Sequence, residues 1–165
     1  MRNKLIVAVA LVAIAAGAAF GILRRADAPQ ADFVALSGGN FTTADLRGKV
    51  VLVNFWATSC VTCVAEMPKM VNAWKQYAPR GYEMVAVAMS YDHPNAVAAF
   101  ASKHALPFRV ALDTNGAAAR AFGNVSVTPT TYLLDKRGRI LTRYVGEPDW
   151  QDFHARVERA LAEPA

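Results

Sequence analysis

Residues 50–56, VVLVNFW, run apolar for seven positions with Asn54 as the sole interruption, and the chain's two cysteines, Cys60 and Cys63, follow within seven residues. A run without alternation suits a central strand covered on both faces. From Cys60 to about Tyr77 the positions Val64, Met67, Met70, Val71 and Trp74 recur at helical spacing, and Pro79 with Gly81 ends the segment. Both thiols therefore fall where a buried strand passes into the start of a helix. A strand sealed on two sides requires a layered fold, with other elements packed above and below it.

The remaining pattern supplies those layers. DFVAL before SGGN predicts a strand entering a turn, and TTADLRGK predicts one helical turn capped by Thr42 or Thr43 and closed by Gly48. EMVAVAMS, 83–90, reads as a second buried strand. HPNAVAAFASKHAL reads as a helix opened by Pro94, FRVALD as a strand, and GAAARAF as a short helix ended by Gly123. TTYLLD and ILTRYV predict an antiparallel hairpin across KRGR, with Gly138 at its turn. DWQDFHARVERALA closes the chain as an amphipathic helix with Asp149 as cap. Strands alternating with helices predict an α/β domain, and the hairpin makes its sheet mixed.

After MRNK comes LIVAVALVAIAAGAAFGIL, residues 5–23, without a charge, and then RRADAPQ. As a helix this run is about 28 Å long, close to the thickness of a bilayer's hydrocarbon core. Residues 1–25 are expected to form a membrane anchor. A cleaved signal peptide is the competing reading, because Ala16–Ala18 offers small residues to a peptidase. The run continues to Leu23, longer than a usual signal core, which favours the uncleaved form. Both readings export the domain. Residues 26–31, ADAPQA, are expected to be a short polar tether, and 32–165 the folded domain.

Charge argues against a nucleic-acid partner. Arg2, Lys4, Arg24 and Arg25 against Asp27 put +3 on the first 31 residues and leave +2 of the chain's +5 for the rest. Nucleic-acid binding needs a basic stripe interleaved with aromatics. The densest cluster, Lys136, Arg137 and Arg139 around Gly138, is expected to be a solvated turn.

Why two thiols stand at a helix start is a chemical question. A structural staple of so small a ring contributes only about 2 kcal/mol in the chain-entropy account. A structural zinc site needs four ligands, and His93, His104 and His154 lack the spacing to complete one, so no metal is expected. Met67, Met70 and Met89 fall on apolar faces and read as packing rather than copper ligands. Thiol–disulfide exchange suits the position, because the partial positive charge of a helix N-terminus stabilises a thiolate. Cys60, first on the helix, is expected to attack, and Cys63, one turn further in, to resolve the mixed disulfide.

VVLVNFWATSCVTCVAEMP and VTPTTYLLDKRGRI resemble the thioredoxin superfamily, and more closely its TlpA/ResA type of membrane-anchored thiol:disulfide oxidoreductase. The likeness spans about residues 32–160. It implies a thioredoxin-like mixed sheet flanked by helices, with a central helix-plus-strand insertion at about 92–112 and an N-terminal β extension, preceded by one transmembrane helix. Cys60 and Cys63 are then a redox-active disulfide, and no further cofactor is implied. Pro129 matches the cis-proline, and Thr128 before it would offer backbone hydrogen bonds to a bound polypeptide. Trp56 either joins that substrate surface or fills the core beneath it.

Two positions separate this chain from cytosolic thioredoxins, and two further features depart from its own family's commoner pattern. Asn54 stands where thioredoxins carry a buried aspartate that handles the resolving thiol's proton, and an amide does not titrate. Glu66, three residues after Cys63 on the same helical face, matches a glutamate of ResA-like proteins. It is expected to be partly buried, with a raised pKa, and to help deprotonate Cys63; the plainer alternative is an exposed residue paired with Lys69. Ser59 replaces the family's usual Trp, and VT separates the cysteines where a Pro-containing pair is commoner, which alters partner fit and reduction potential. The resemblance implies reduction of disulfides in exported proteins, of the cytochrome c or copper-oxidase maturation type. It places the domain on the periplasmic or extracytoplasmic side of the bacterial inner membrane, on a single-pass anchor, recharged by a membrane electron donor of the DsbD/CcdA type. The alternatives are a disulfide-forming oxidant and a non-catalytic adaptor or copper-delivery module.

Overall fold

The computed structural model describes residues 25–164. The expected anchor at 5–23 lies outside the described residues, and among those described no helix is long and apolar enough to cross a membrane. Seven strands form one sheet: β1 (Asp32–Ala35), β2 (Asn40–Thr42), β3 (Val50–Trp56), β4 (Tyr82–Ala88), β5 (Arg109–Leu112), β6 (Thr130–Leu134) and β7 (Ile140–Val145). Four helices pack on it: α1 (Val61–Tyr77), α2 (Pro94–Lys103), α3 (Ala117–Ala121) and α4 (Trp150–Ala162). The strand order is β2-β1-β5-β4-β3-β6-β7. Strands β3, β4 and β5 run parallel, and β1, β2, β6 and β7 join by antiparallel pairing, so the sheet is mixed.

β3 is buried at all seven positions, as its apolar run predicts. Its side chains alternate between two cores. Val50, Leu52 and Trp56 meet α1, α2 and α4 on one face, while Val51, Val53 and Phe55 meet α3, the β1–β2 hairpin and Phe122 on the other. Each such Val or Leu contributes about 1.5–3 kcal/mol of burial. Helix α1 turns its face further toward Cys63 and Glu66 than the apolar spacing indicates. Its buried line is Cys63, Glu66, Met67, Met70, Ala73 and Tyr77, with Val64, Val71 and Trp74 only half-buried beside it. α2 and β5 fill the stretch 92–112, and β5 pairs with both β4 and β1. The N-terminal hairpin therefore reaches the sheet through β5.

Residues 26–31 are not a tether. The Ala28 N–H donates to Gly138 O at 2.8 Å, and the Ile140 N–H donates to Ala26 O at 2.7 Å. Further on, the Ala31 N–H donates to Thr43 Oγ1 and the Thr43 N–H returns a bond to Ala31 O. Ala28 and Ala31 are small enough to be buried against the second core. The open edge of the β6–β7 turn needs partners, and this segment supplies them. Thr43 sits at the N-cap of the short helical turn at 44–46, but its hydroxyl is engaged with Ala31; Thr42 Oγ1 accepts the Asp45 N–H at 3.4 Å instead, and Asp45 Oδ2 accepts the Thr42 N–H and hydroxyl.

The basic turn is also more than solvated surface. Asp135, nearly inaccessible, accepts from the N–H groups of Arg137 and Arg139 and from Arg139 Nε. Lys136 Nζ donates to Leu161 O and Glu163 O and so caps the C-terminus of α4. Gly138, at φ 78°, takes the left-handed turn conformation that other residues resist. Burial pushes the Asp135 carboxyl up, but the hydrogen bonds and charge of Arg139 outweigh it and hold the group below the ordinary aspartate range. Removing this acceptor leaves the part-buried N–H groups of Arg137 and Arg139 and the Arg139 guanidinium without it, so Asp135→Ala is expected to cost about 1–3 kcal/mol in urea unfolding at pH 7. Because the folded pKa is depressed, the difference from wild type shrinks as pH falls below about 4. An unchanged midpoint at pH 7 contradicts this account.

Candidate active site

At the end of β3 the chain makes a turn, with the Cys60 N–H donating to Ala57 O at 3.1 Å, and α1 begins. Cys60 is the N-cap of α1 with extended backbone angles, and its Sγ accepts the Cys63 N–H at 3.2 Å. A sulfur in that place receives a helix-start N–H and the positive end of the helix dipole, both of which favour a thiolate. Cys60 and Cys63 are joined as a disulfide with Cα atoms 5.2 Å apart. Their exposure differs. Cys60 is half-buried and open to a partner, whereas Cys63 is wholly inaccessible. Only Cys60 can meet an incoming disulfide.

Glu66 is fully buried, 1% exposed, further in than expected from the sequence. Its Oε1 accepts from Asn54 Nδ2 at 3.3 Å, and its Oε2 has no partner among the described residues. Lys69 does not pair with it; the Lys69 ammonium donates to Glu147 Oε1 at 2.6 Å instead. Burial pushes the Glu66 carboxyl up to about 7, against a smaller lowering effect of the Asn54 hydrogen bond. Beneath it Asn54 Nδ2 also donates to Thr131 Oγ1 at 2.8 Å, across the register pair Asn54↔Thr131 of β3 and β6. The cluster thus holds a carboxyl that gains and loses a proton near neutral pH, on the helix that carries Cys63.

The Thr128–Pro129 peptide is cis, and the register Phe55↔Thr130 brings this loop to the end of the sheet where Cys60 lies. Pro129 is buried, Thr128 half-buried. Thr130 Oγ1 donates to Val127 O at 2.7 Å and the Gly146 N–H to Pro129 O at 2.8 Å, so the loop is braced from both sides. Of the two readings of Trp56, the structure takes the core filler and not the substrate surface. Trp56 has no exposed surface and packs on Phe100 with ring centroids 5.1 Å apart, so it fills the core under the site and offers nothing to a substrate.

Sequence reasoning missed three contributors. Thr131 was visible as the second of the two threonines that open β6, TTYLL, and it pairs with Asn54 of β3. Asp92 accepts the Thr58 N–H and the Thr58 hydroxyl, each at 2.6 Å, and Tyr91 Oη meets Thr128 Oγ1 at 3.3 Å. No local pattern announces these long-range contacts.

The Redoxin family model matches residues 25–161. Thioredoxin-like protein YneN of Bacillus subtilis is 38% identical over 142 residues, covering 84% of this chain and 81% of that protein. Thiol-disulfide oxidoreductase ResA of the same organism is 34% identical over 125 residues, covering 76% and 69%. The crystal structure of a thiol:disulfide interchange protein of the thioredoxin family from Chlorobium tepidum superposes with a TM-score of 0.75 at 31% identity, covering 84% of this chain and 98% of that one.

The raised Glu66 pKa has a signed consequence for stability. The native state keeps its proton up to about pH 7, while an unfolded chain releases it near 4.5. Between those values the native state binds more protons, so burying Glu66 becomes costlier as pH rises, by on the order of 3 kcal/mol in all. Glu66→Gln is expected to gain on wild type by up to that amount between pH 4.5 and 8 in chemical unfolding. A gap independent of pH contradicts the shift.

Proposed function

This chain belongs to the Redoxin family and is a thiol-disulfide oxidoreductase of the ResA type, and from that footing we propose that it reduces disulfides of exported proteins from an extracytoplasmic, membrane-anchored position. The observation that carries the reading is the asymmetry of the pair: a half-exposed sulfur at a helix start, backed by a sealed one beside a buried carboxyl of near-neutral pKa. In the proposed cycle the Cys60 thiolate attacks one sulfur of the client disulfide. A mixed disulfide forms and the other client sulfur leaves as a thiolate. Glu66 takes the proton of Cys63, whose sulfur then attacks Cys60 Sγ and expels the second client thiolate. Two electrons have passed to the client, and Cys60 and Cys63 are left joined. Thr128, next to cis Pro129, offers its backbone to the client chain during attack.

Recharging needs two electrons and two protons from a dithiol, which a membrane protein of the DsbD/CcdA type supplies in this reading. The uncharged run at 5–23 supports an anchor, and the docked segment 26–31 keeps the domain close to where that run ends. Clients of the cytochrome c or copper-oxidase maturation type fit, since both must present free thiols after export through an oxidising compartment.

Cys63→Ala in the full chain is expected to accumulate a mixed disulfide through Cys60, separable on non-reducing gels and identifiable by mass spectrometry, with exported cysteine proteins as the trapped species. Cys60→Ala is expected to trap nothing and to lose insulin reduction. Trapping through Cys63, or insulin reduction that persists in Cys60→Ala, contradicts the cycle.

A further inference from the structure

The loop between β4 and α2 reaches both halves of the redox site. Met89 extends the β3–β4 pairing with its N–H on Trp56 O at 3.0 Å, and the Asp92 N–H closes a turn onto Met89 O. That turn presents the Asp92 carboxylate to Thr58, two residues before Cys60. Oδ2 takes the Thr58 N–H and Oδ1 its hydroxyl, both at 2.6 Å, the short distances of charge-assisted bonds. Two residues of chain span at most about 7 Å, so the carboxylate is held within about 10 Å of the Cys60 backbone. It is half-buried, where charge is screened less than in open water.

We infer that Asp92 tunes the pair: its fixed negative charge offsets part of the positive field of the α1 N-terminus and keeps the Cys60 thiolate less stable than the helix alone would make it. A destabilised thiolate is a destabilised reduced form, so the pair gives up its electrons more readily. Asp92 is a positioning and tuning residue; it touches Thr58, not the reacting sulfur. This role rests on the proposed reading of Cys60 as the attacking thiol and deepens it, by naming what holds the pair on the reducing side. Other charged or titratable groups on the elements around the site include Glu66 and Lys69 on α1, Glu147 bonded to Lys69, Tyr91 and His93 in the same loop, and, behind that loop, Asp113, whose N–H bonds Ala88 O, with Arg120 beside Ser90. His93 Nδ1 is engaged as the cap of α2, accepting the Asn95 N–H, and Tyr91 Oη is engaged with Thr128.

Asp92→Asn removes the charge while keeping size and an oxygen for the Thr58 N–H, and Asp92→Ser is a second neutral variant that retains an acceptor. In each, the Cys60 pKa, read from thiolate absorbance against pH in the reduced full chain, is expected to fall by about half a unit to one unit. Equilibration with glutathione checks the same change. Glutathione disulfide takes two electrons from the reduced pair, giving two glutathione molecules and the Cys60–Cys63 disulfide. The ratio of reduced to oxidised pair at a given glutathione poise is expected to rise three- to tenfold, a more oxidising potential by up to about 30 mV. Thr58→Val keeps the charge and loses only the hydroxyl bond, and its Cys60 pKa is expected to stay near wild type. An unchanged or raised pKa in both Asp92 variants overturns the inference, as does an equal fall in Thr58→Val, which assigns the effect to loop geometry. Titration of Cys63 in place of Cys60 as the low-pKa thiol of the wild type overturns the attacking-thiol reading and this inference with it.

Discussion

β3 is closed off from water along its whole length, and the placement of every functional group follows from that. A strand buried on both faces must have partners on both edges and cover above and below. Its edge partners are β4 and β6, and each brings a loop to the same end of the sheet: β4 delivers Asp92 against Thr58, and β6 begins at cis Pro129. Its own end supplies the turn into Cys60. Its one polar side chain, Asn54, sits under α1 and gives Glu66 its single hydrogen bond.

The two sulfurs differ because they stand at different depths of one helix. Cys60 caps α1 at the protein surface, where helix-start N–H groups are free to support negative charge. Cys63 lies one turn deeper, in the core with Met67 and Met70. Deprotonating a thiol in such surroundings is costly unless a neighbouring group takes the proton, and a carboxyl that is itself held protonated to about pH 7 by burial is matched to that task. In the proposed cycle, charge therefore forms readily at the surface sulfur and at the buried one only when the mixed disulfide requires it. Asn54 does not titrate, so in the proposed cycle the proton acceptor sits on the helix, at Glu66, rather than on the strand.

Much of this was legible in the residues. Periodicity located the strands and the long helices, because each buries a regular face, and the two cysteines with the Thr-Pro-Thr segment marked the redox site. Pro68 did not break α1, since the apolar line from Cys63 to Tyr77 packs against the sheet whether or not one helical N–H is missing. What escaped were features decided by distant partners. ADAPQA looked like a tether because its polarity is local, but its backbone completes the β6–β7 turn more than a hundred residues away. Arg139 and Lys136 looked solvated because their partners, buried Asp135 and the end of α4, are fixed by topology. Trp56 had two readings that only depth could separate.

The most direct test of the account is the rate at which the mixed disulfide on Cys60 resolves, followed by stopped-flow after single attack on a fluorescent peptide disulfide from pH 5 to 9. With Glu66 as the proton acceptor, the rate in wild type rises through an inflection near pH 7, and in Glu66→Gln that inflection is gone and the step is slow until hydroxide deprotonates Cys63. Superimposable profiles for the two proteins would contradict the account, leaving the buried carboxyl without a part in the chemistry.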